Sequence, residues 1–160
     1  MLILIPARGR VVLSKTSVIA LRLLVHLGLL GPGKRVPLRV VARELRVSPT
    51  YLIKIGRRLA RAGILRASRG AGGGVNIDRA PADITLLATV EACQGPTLGD
   101  FCRRADGRRE VCGLHMAGAD LHKAITRSLS RWTLDDLIRR PGPPAGHRSS
   151  RRCLLQGGRP

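Results

Sequence analysis

The spacing of apolar positions divides the chain into a run of short elements. From Leu13, the stretch LSKTSVIALRLLVHLGLL carries a broad apolar surface (Val18, Ile19, Leu21, Leu23, Val25, Leu29) behind Ser14 as a start signal. This predicts a buried first helix, ended by Gly31-Pro32-Gly33. Next, Leu38, Val41, Ala42 and Leu45 recur at i, i+3, i+4 and i+7 behind Pro37, whose fixed φ and missing N–H suit the opening of a helix. A third helix is expected from Ser48-Pro49, with Leu52, Ile55 and Leu59 as its buried stripe and Ala62 just beyond. The Ser48 hydroxyl can accept from an unpaired first-turn N–H. Only Arg46 to Ser48 separate these two apolar patterns, a turn that lays the later helix across the earlier one. After Gly63, Ile64 to Ala67 and Val75 to Ile77 read as two short strands joined by Ser68-Arg69-Gly70-Ala71-Gly72-Gly73-Gly74.

Further along, Thr85 caps a helix expected over Leu86 to Ala92, with Ile84 outside it. A helix-poor stretch follows from Cys93 to Val111, and from Cys112 the pattern turns helical again. There Leu114, Ala117, Leu121, Ala124, Ile125 and Leu129 step by three and four. A small domain has little left to cover that stripe, so it is expected to pack on a second copy of itself. Burial against the chain's own first helix is the alternative. Thr133-Leu134-Asp135-Asp136 caps a last short helix ending before Pro141. The resulting organisation is a leader at 1–12, a helix-turn-helix and hairpin domain at 13–80, a cysteine-bearing loop and dimerisation helix at 81–140, and a basic tail at 141–160 too poor in apolar groups to order. The fold class is mainly α with a small β-hairpin: a winged helix-turn-helix with a long C-terminal dimerisation helix.

Charge changes the picture by naming a partner. Lys34 to Arg69 holds eleven basic residues against Glu44 alone, more than half of the net charge of +19. The third helix leaves Thr50, Tyr51, Ile53, Lys54, Arg57, Arg58 and Arg61 facing outward. In a recognition helix the N-terminal part meets base edges and later residues meet phosphates, so Thr50, Tyr51 and Ile53 are candidates for reading sequence. Lys54, Arg57, Arg58 and Arg61 are candidates for the backbone. Arg69, on the glycine-rich tip, is placed to enter the neighbouring minor groove. With Ser48, these make up the candidate DNA-binding set. On a lone helix such a face could equally be a solvated surface. A nucleotide-binding glycine loop fails on context, because a strand follows the glycines and no Gly-Lys-Ser/Thr is present.

Composition narrows the class further. Tyr51, Phe101 and Trp132 are the only aromatic residues, which argues against single-stranded nucleic acid, whose binders stack bases on aromatic platforms. No apolar run approaches a membrane span, and the Met1 to Ile5 run is too short for a secretory signal, so a cytoplasmic, reducing location is expected. There Cys93, Cys102, Cys112 and Cys153 read as thiols or metal ligands rather than disulfides. A pI near 11.8 alone would also fit a ribosomal or membrane-surface protein, but those leave the turn and wing unexplained. A metalloenzyme using Cys102, Cys112 and His115 lacks an acid/base cluster, so no enzyme is expected.

LSKTSVIALRLL, SPTYLIKIGRRLARAGIL, SRGAGGGVNI, ITLLATVEA and TLDDLI occur in the order and near the spacing found in the Rrf family of bacterial winged-helix transcription regulators, of the IscR/NsrR type. The chain resembles that family over Leu13 to Ile138. The resemblance implies a homodimeric regulator of double-stranded DNA, commonly a repressor, that often senses iron-sulfur, nitrosative or redox state through a 2Fe-2S cluster. It also implies base contacts at Thr50 and Ile53 and a wing contact at Arg69. Ile53 departs from the glutamate familiar there: a glutamate accepts from cytosine N4, whereas isoleucine offers only a methyl contact to thymine. Cluster-holding members resemble C-x5-C-x5-C followed by x2-H. This chain has Cys102-x9-Cys112-x2-His115, without the middle cysteine. On this resemblance Cys102, Cys112 and His115 are the candidate ligands, with Asp106, Cys93 or a group from the other subunit as the fourth. Without a metal, Cys102 and Cys112 would be simple redox-active thiols or relics, and zinc is the other metal such a set could hold. The competing function is a basic protein that coats nucleic acid without sequence preference.

Overall fold

The structure is a computed structural model that describes residues 13–68, 70, 73–96 and 113–140. Its elements run α1 (Lys15–Leu29), α2 (Leu38–Glu44), α3 (Pro49–Arg61), β1 (Leu65–Ser68), β2 (Gly74–Ile77), a single 3₁₀ turn at Pro81–Asp83, α4 (Leu86–Gln94), α5 (Gly113–Arg131) and α6 (Leu134–Arg139).

Helix α1 is the buried axis. Ser14 caps it, its side chain accepting from the Ser17 N–H, and Ile19, Ala20, Leu21, Leu23, Leu24, Val25 and Leu27 are buried along it. Leu29, expected on the apolar surface, is instead 56% exposed, while its neighbours Gly28 and Leu30 meet Ile138 and the core. Helices α2 and α3 cross at the turn Leu45 to Ser48, and the crossing is close: a Cβ on Gly56 would lie 2.7 Å from Leu38 Cδ1. Two polar ties hold α1 to α2. Arg22 Nη2 donates to the Leu45 carbonyl at 3.1 Å, and His26 Nε2 lies 3.0 Å from Glu44 Oε2. Burial lowers the Arg22 pKa from its ordinary value.

Both helices of the motif end in the same way. In α3 the Ile64 N–H bonds the Leu59 carbonyl at 3.0 Å and the Gly63 N–H bonds the Ala60 carbonyl at 3.1 Å, with Gly63 at φ 67. In α2 the Val47 N–H bonds the Ala42 carbonyl at 2.9 Å and the Arg46 N–H bonds the Arg43 carbonyl at 3.1 Å, with Arg46 at φ 54. This pair of hydrogen bonds around a left-handed residue satisfies the last free carbonyls of a helix.

The wing is an antiparallel pair, Leu65 opposite Ile77 through Ser68 opposite Gly74. It starts and ends within a residue of the expected strands. On the other edge of β2, Val36 adds a rung from a third segment, exchanging both backbone bonds with Val75 at 3.1 and 3.0 Å. The wing is thereby fastened to the segment entering α2.

The hydrophobic core is continuous across residue 80. Ile84, Cys93 and Leu134 belong to the same cluster as Leu23, Val41, Leu52, Ile55 and Leu59. Helix α4 packs on α1 and α3, and α6 returns to α1, where Ile138 fills the space a side chain at Gly28 would need. Thr85 caps α4 by accepting from the Ala88 N–H. At α6 the Thr133 hydroxyl accepts from the Asp136 N–H, while the Asp136 carboxylate accepts from the Thr133 N–H at 2.9 Å and from its hydroxyl at 2.8 Å. The backbone bond, then the hydroxyl bond, hold the Asp136 carboxyl below the usual carboxylate range. Trp132 and Leu134 pair with Leu86 and Ile84 across a backbone bridge at Thr85 and Thr133. No helix among the described residues is long and apolar enough to cross a membrane.

Gly74 tests the fastening of the wing. A Cβ there would lie 2.6 to 2.9 Å from the backbone of Val36. Gly74→Ala should therefore break the Val36 rung and lower stability by about 1 to 3 kcal/mol, read as an earlier urea midpoint.

Candidate nucleic-acid interface

The apolar stripe of α3 is withdrawn from solvent: Leu52 and Leu59 are 0% exposed and Ile55 is 1% exposed. Thr50, Lys54, Arg57 and Arg61 follow one another at steps of four, three and four, so they share one face, and all four are exposed. The helix therefore has a dry side locked into the core and a wet cationic side. Ser48 and Pro49 open it, and both are exposed.

Three residues of the candidate set depart from expectation in their contacts. Ser48 occupies the cap position, yet its hydroxyl makes no capping bond. Its carbonyl takes the first helical bond, from the Leu52 N–H at 3.0 Å, and Pro49 fills the first helical position. Tyr51 turns inward: its hydroxyl lies 2.7 Å from Thr16 Oγ1 and its ring packs against the core, so it ties α3 to α1. Arg58 reaches back and donates through Nη1 to the Cys93 carbonyl at the end of α4. A guanidinium suits that position, because the last carbonyls of a helix carry partial negative charge. Ile53 is half-buried. Elsewhere in the motif, Arg66 Nε pairs with Asp78 Oδ1 at 2.7 Å.

Adjacent to the Arg58 anchor, Gln94 Oε1 accepts from the Ser14 N–H at 2.9 Å and from the Ser17 hydroxyl at 2.7 Å. Two consecutive residues at the end of α4 thus hold α3 and the start of α1. Sequence reasoning missed both, since nothing in the local pattern marks a contact 35 or 77 residues away.

Arg69, Cys102 and Cys112 lie outside the described residues, as do the leader, Asp106 and the tail, and of His115 only its place in the first turns of α5 is described. Among the described residues no three His, Cys, Asp or Glu side chains gather in a way that could hold a metal ion. Cys93, one of the candidate fourth ligands, does not fit that role. It is 3% exposed in the apolar core, and burial pushes its thiol up to about 11 despite the nearby Arg58.

Known proteins share this arrangement. Residues 13–140 match the family model described as Rrf2, iron-dependent transcriptional regulator. The chain belongs to the Rrf2 family. It is similar to the HTH-type transcriptional regulator NsrR of Geobacillus kaustophilus, at 30% identity over 141 residues, which is 86% of this chain and 91% of that protein. Among solved structures, the fold is shared with CymR, the global cysteine regulator of B. subtilis, at a TM-score of 0.66, 22% identity, and 79% and 95% coverage. It is also shared with T. potens IscR, at a TM-score of 0.65, 20% identity, and 79% and 85% coverage. The winged-helix fold and the function of transcriptional regulator are thus those of an Rrf2 protein.

Burial of Cys93 has two measurable consequences. Its thiol should be silent toward a thiol reagent in the native protein, so Cys93→Ala leaves the number of fast-reacting thiols unchanged. Because its folded pKa is raised, the unfolded chain ionises first. Stability should therefore decline as pH climbs from the ordinary thiol range toward 11, and less steeply in Cys93→Ala.

Proposed function

We propose that this Rrf2 protein is a homodimeric repressor that grips duplex DNA with the exposed face of α3 and answers to iron-sulfur, redox or nitrosative state through Cys102, Cys112 and His115. The observation that carries the DNA reading is the two-sidedness of α3. Leu52, Ile55 and Leu59 fix the helix in the core, while Thr50 leads a row of Lys54, Arg57 and Arg61 on the outer face. In the docking such helices use, Thr50 meets base edges and the three cations meet phosphates, with Arg69 reaching the minor groove from the wing. Arg58 and Tyr51 position the helix rather than touch the duplex.

Helix α5 supports the dimer. It leans on α4 rather than on α1, and Leu114, Met116 and Leu121 stand 75%, 60% and 53% exposed along it. Leu129 at its far end is buried within the chain. A second copy laid against the uncovered part would relate two recognition helices by a two-fold axis, matching a two-fold operator. As a gene regulator it acts in the cytoplasm.

The cluster reading rests on the spacing of Cys102, Cys112 and His115 together with the NsrR likeness. A bound cluster would supply redox and nitrosative sensitivity. Chemical change at those residues, which lie in the chain at and before the start of α5, is read out through α5 and α4, and α4 holds α3 through Arg58.

Duplexes selected from a random pool and tested by gel shift at rising salt check the DNA reading. One tight operator should survive raised salt, whereas a coating protein would release all sequences alike. In the same assay Lys54→Ala and Arg57→Ala should each reduce the log-log salt slope by about 0.9, and Arg58→Met should leave the slope unchanged while lowering the melting temperature. Anaerobic purification followed by a visible spectrum and iron and sulfide assays checks the sensor. A coloured protein with iron and inorganic sulfide in matching amounts is expected. A colourless, iron-free protein would overturn the cluster and leave DNA binding standing.

A further inference from the structure

We propose that Arg46 is a phosphate-binding residue, held in a left-handed turn so that its guanidinium meets the duplex backbone beside the recognition helix. The proposal rests on the reading of α3 as a DNA-binding helix and adds a phosphate site outside it.

The first observation is a contrast within the fold. Helices α2 and α3 close with the same pair of backbone bonds, and each needs one residue at positive φ. At the end of α3 that residue is Gly63, which adopts φ 67 without penalty. At the end of α2 it is Arg46 at φ 54, the one described residue other than glycine with positive φ. A side chain there crowds the following carbonyl, and asparagine or glycine is the usual occupant. Such outliers point to a role for the side chain rather than for the backbone.

The second observation is what surrounds the side chain. Arg46 is exposed, and among the described residues its guanidinium has no hydrogen bond or ion pair. Two other cations of the motif are engaged, Arg58 by the Cys93 carbonyl and Arg66 by Asp78. Glu44, the one acidic residue between Lys34 and Arg69, lies 3.0 Å from His26 Nε2 and makes no ion pair with Arg46.

The third is position. Arg39, Arg43 and Arg46 follow at steps of four and three along the outer side of α2 and the turn, and all are exposed. The first helix of such a pair crosses the sugar-phosphate backbone while the second enters the groove. Arg46 stands two residues before Ser48, at the junction of the two, where the chain passes over the groove's rim. The competing explanation is structural: a cation near the C-terminus of α2 favours the helix dipole. The two explanations differ in sign for one substitution.

Arg46→Gly removes the charge and relieves the turn. With a mixed-sequence duplex of about 30 base pairs, followed by fluorescence anisotropy from low to high salt, its affinity should fall about eightfold at ~0.1 M salt and its log-log slope should shrink by about 0.9, the value for one phosphate left unneutralised. Its melting temperature should equal or exceed that of the wild type. Arg46→Gln, which keeps the strained turn without the charge, should show the same smaller slope, and Arg46→Lys should keep the wild-type slope. An unchanged affinity and slope in Arg46→Gly, or a lower melting temperature at unchanged slope, would overturn the proposal while the wild type's binding stands. A wild type that fails to bind the duplex would overturn the reading of α3 as well.

Discussion

Everything the surface of α3 can do depends on how little freedom the helix has. Its inner side buries Leu52, Ile55 and Leu59 almost completely, and burial of such side chains is worth about 1.5 to 3 kcal/mol each. Gly56 lets α2 approach until Leu38 fills the space of a side chain. Rotation about the helix axis would bring charge into the core or leucine into water, and one turn of slippage would break the Tyr51 to Thr16 contact. The outer face inherits this rigidity. Affinity for a duplex depends on several weak contacts being met at once, and a fixed frame makes them coincide without a further loss of entropy.

The same frame extends to the part of the molecule that is not the DNA-binding motif. Helix α4 ends in two residues with opposite duties: the Cys93 carbonyl receives Arg58 from α3, and Gln94 receives Ser14 and Ser17 from α1. The cation, which on its own helix would have faced solvent, becomes a strut between two elements. The wing is treated alike, since Val36 pairs with Val75 before the chain enters α2. Polar ties at the ends of elements thus reinforce the core that already joins them.

The elements were readable from local pattern because each carries its own signal. Ser14, Thr85 and Thr133 announce helix starts with a side-chain oxygen, and each makes the expected bond. Gly63 marks an end, and the glycine run marks the hairpin. What could not be read depends on partners far away in the chain. No periodicity places Ile138 over Gly28, Thr16 beside Tyr51 or Cys93 under Arg58. Ser48 carries the local signal of a cap, yet its hydroxyl makes no capping bond. Arg46 had a local signal that pattern reading passed over: it stands where an apolar helix stripe stops, a place that ordinarily takes glycine. Of the proposed sensor, Cys93 is placed in the core, and Cys102 and Cys112 lie outside the described residues.

The bridge between Thr85 and Thr133 has one more implication. Ile84 and Leu86 on one side hold Leu134 and Trp132 on the other, so the two ends of the segment that carries α4 and α5 are stitched together. Adding or removing residues between two pinned ends changes closure entropy only logarithmically, by about 0.6 kcal/mol per doubling. A shortened spacing such as Cys102-x9-Cys112 is therefore a change of length that costs little in closure entropy between the two pinned ends.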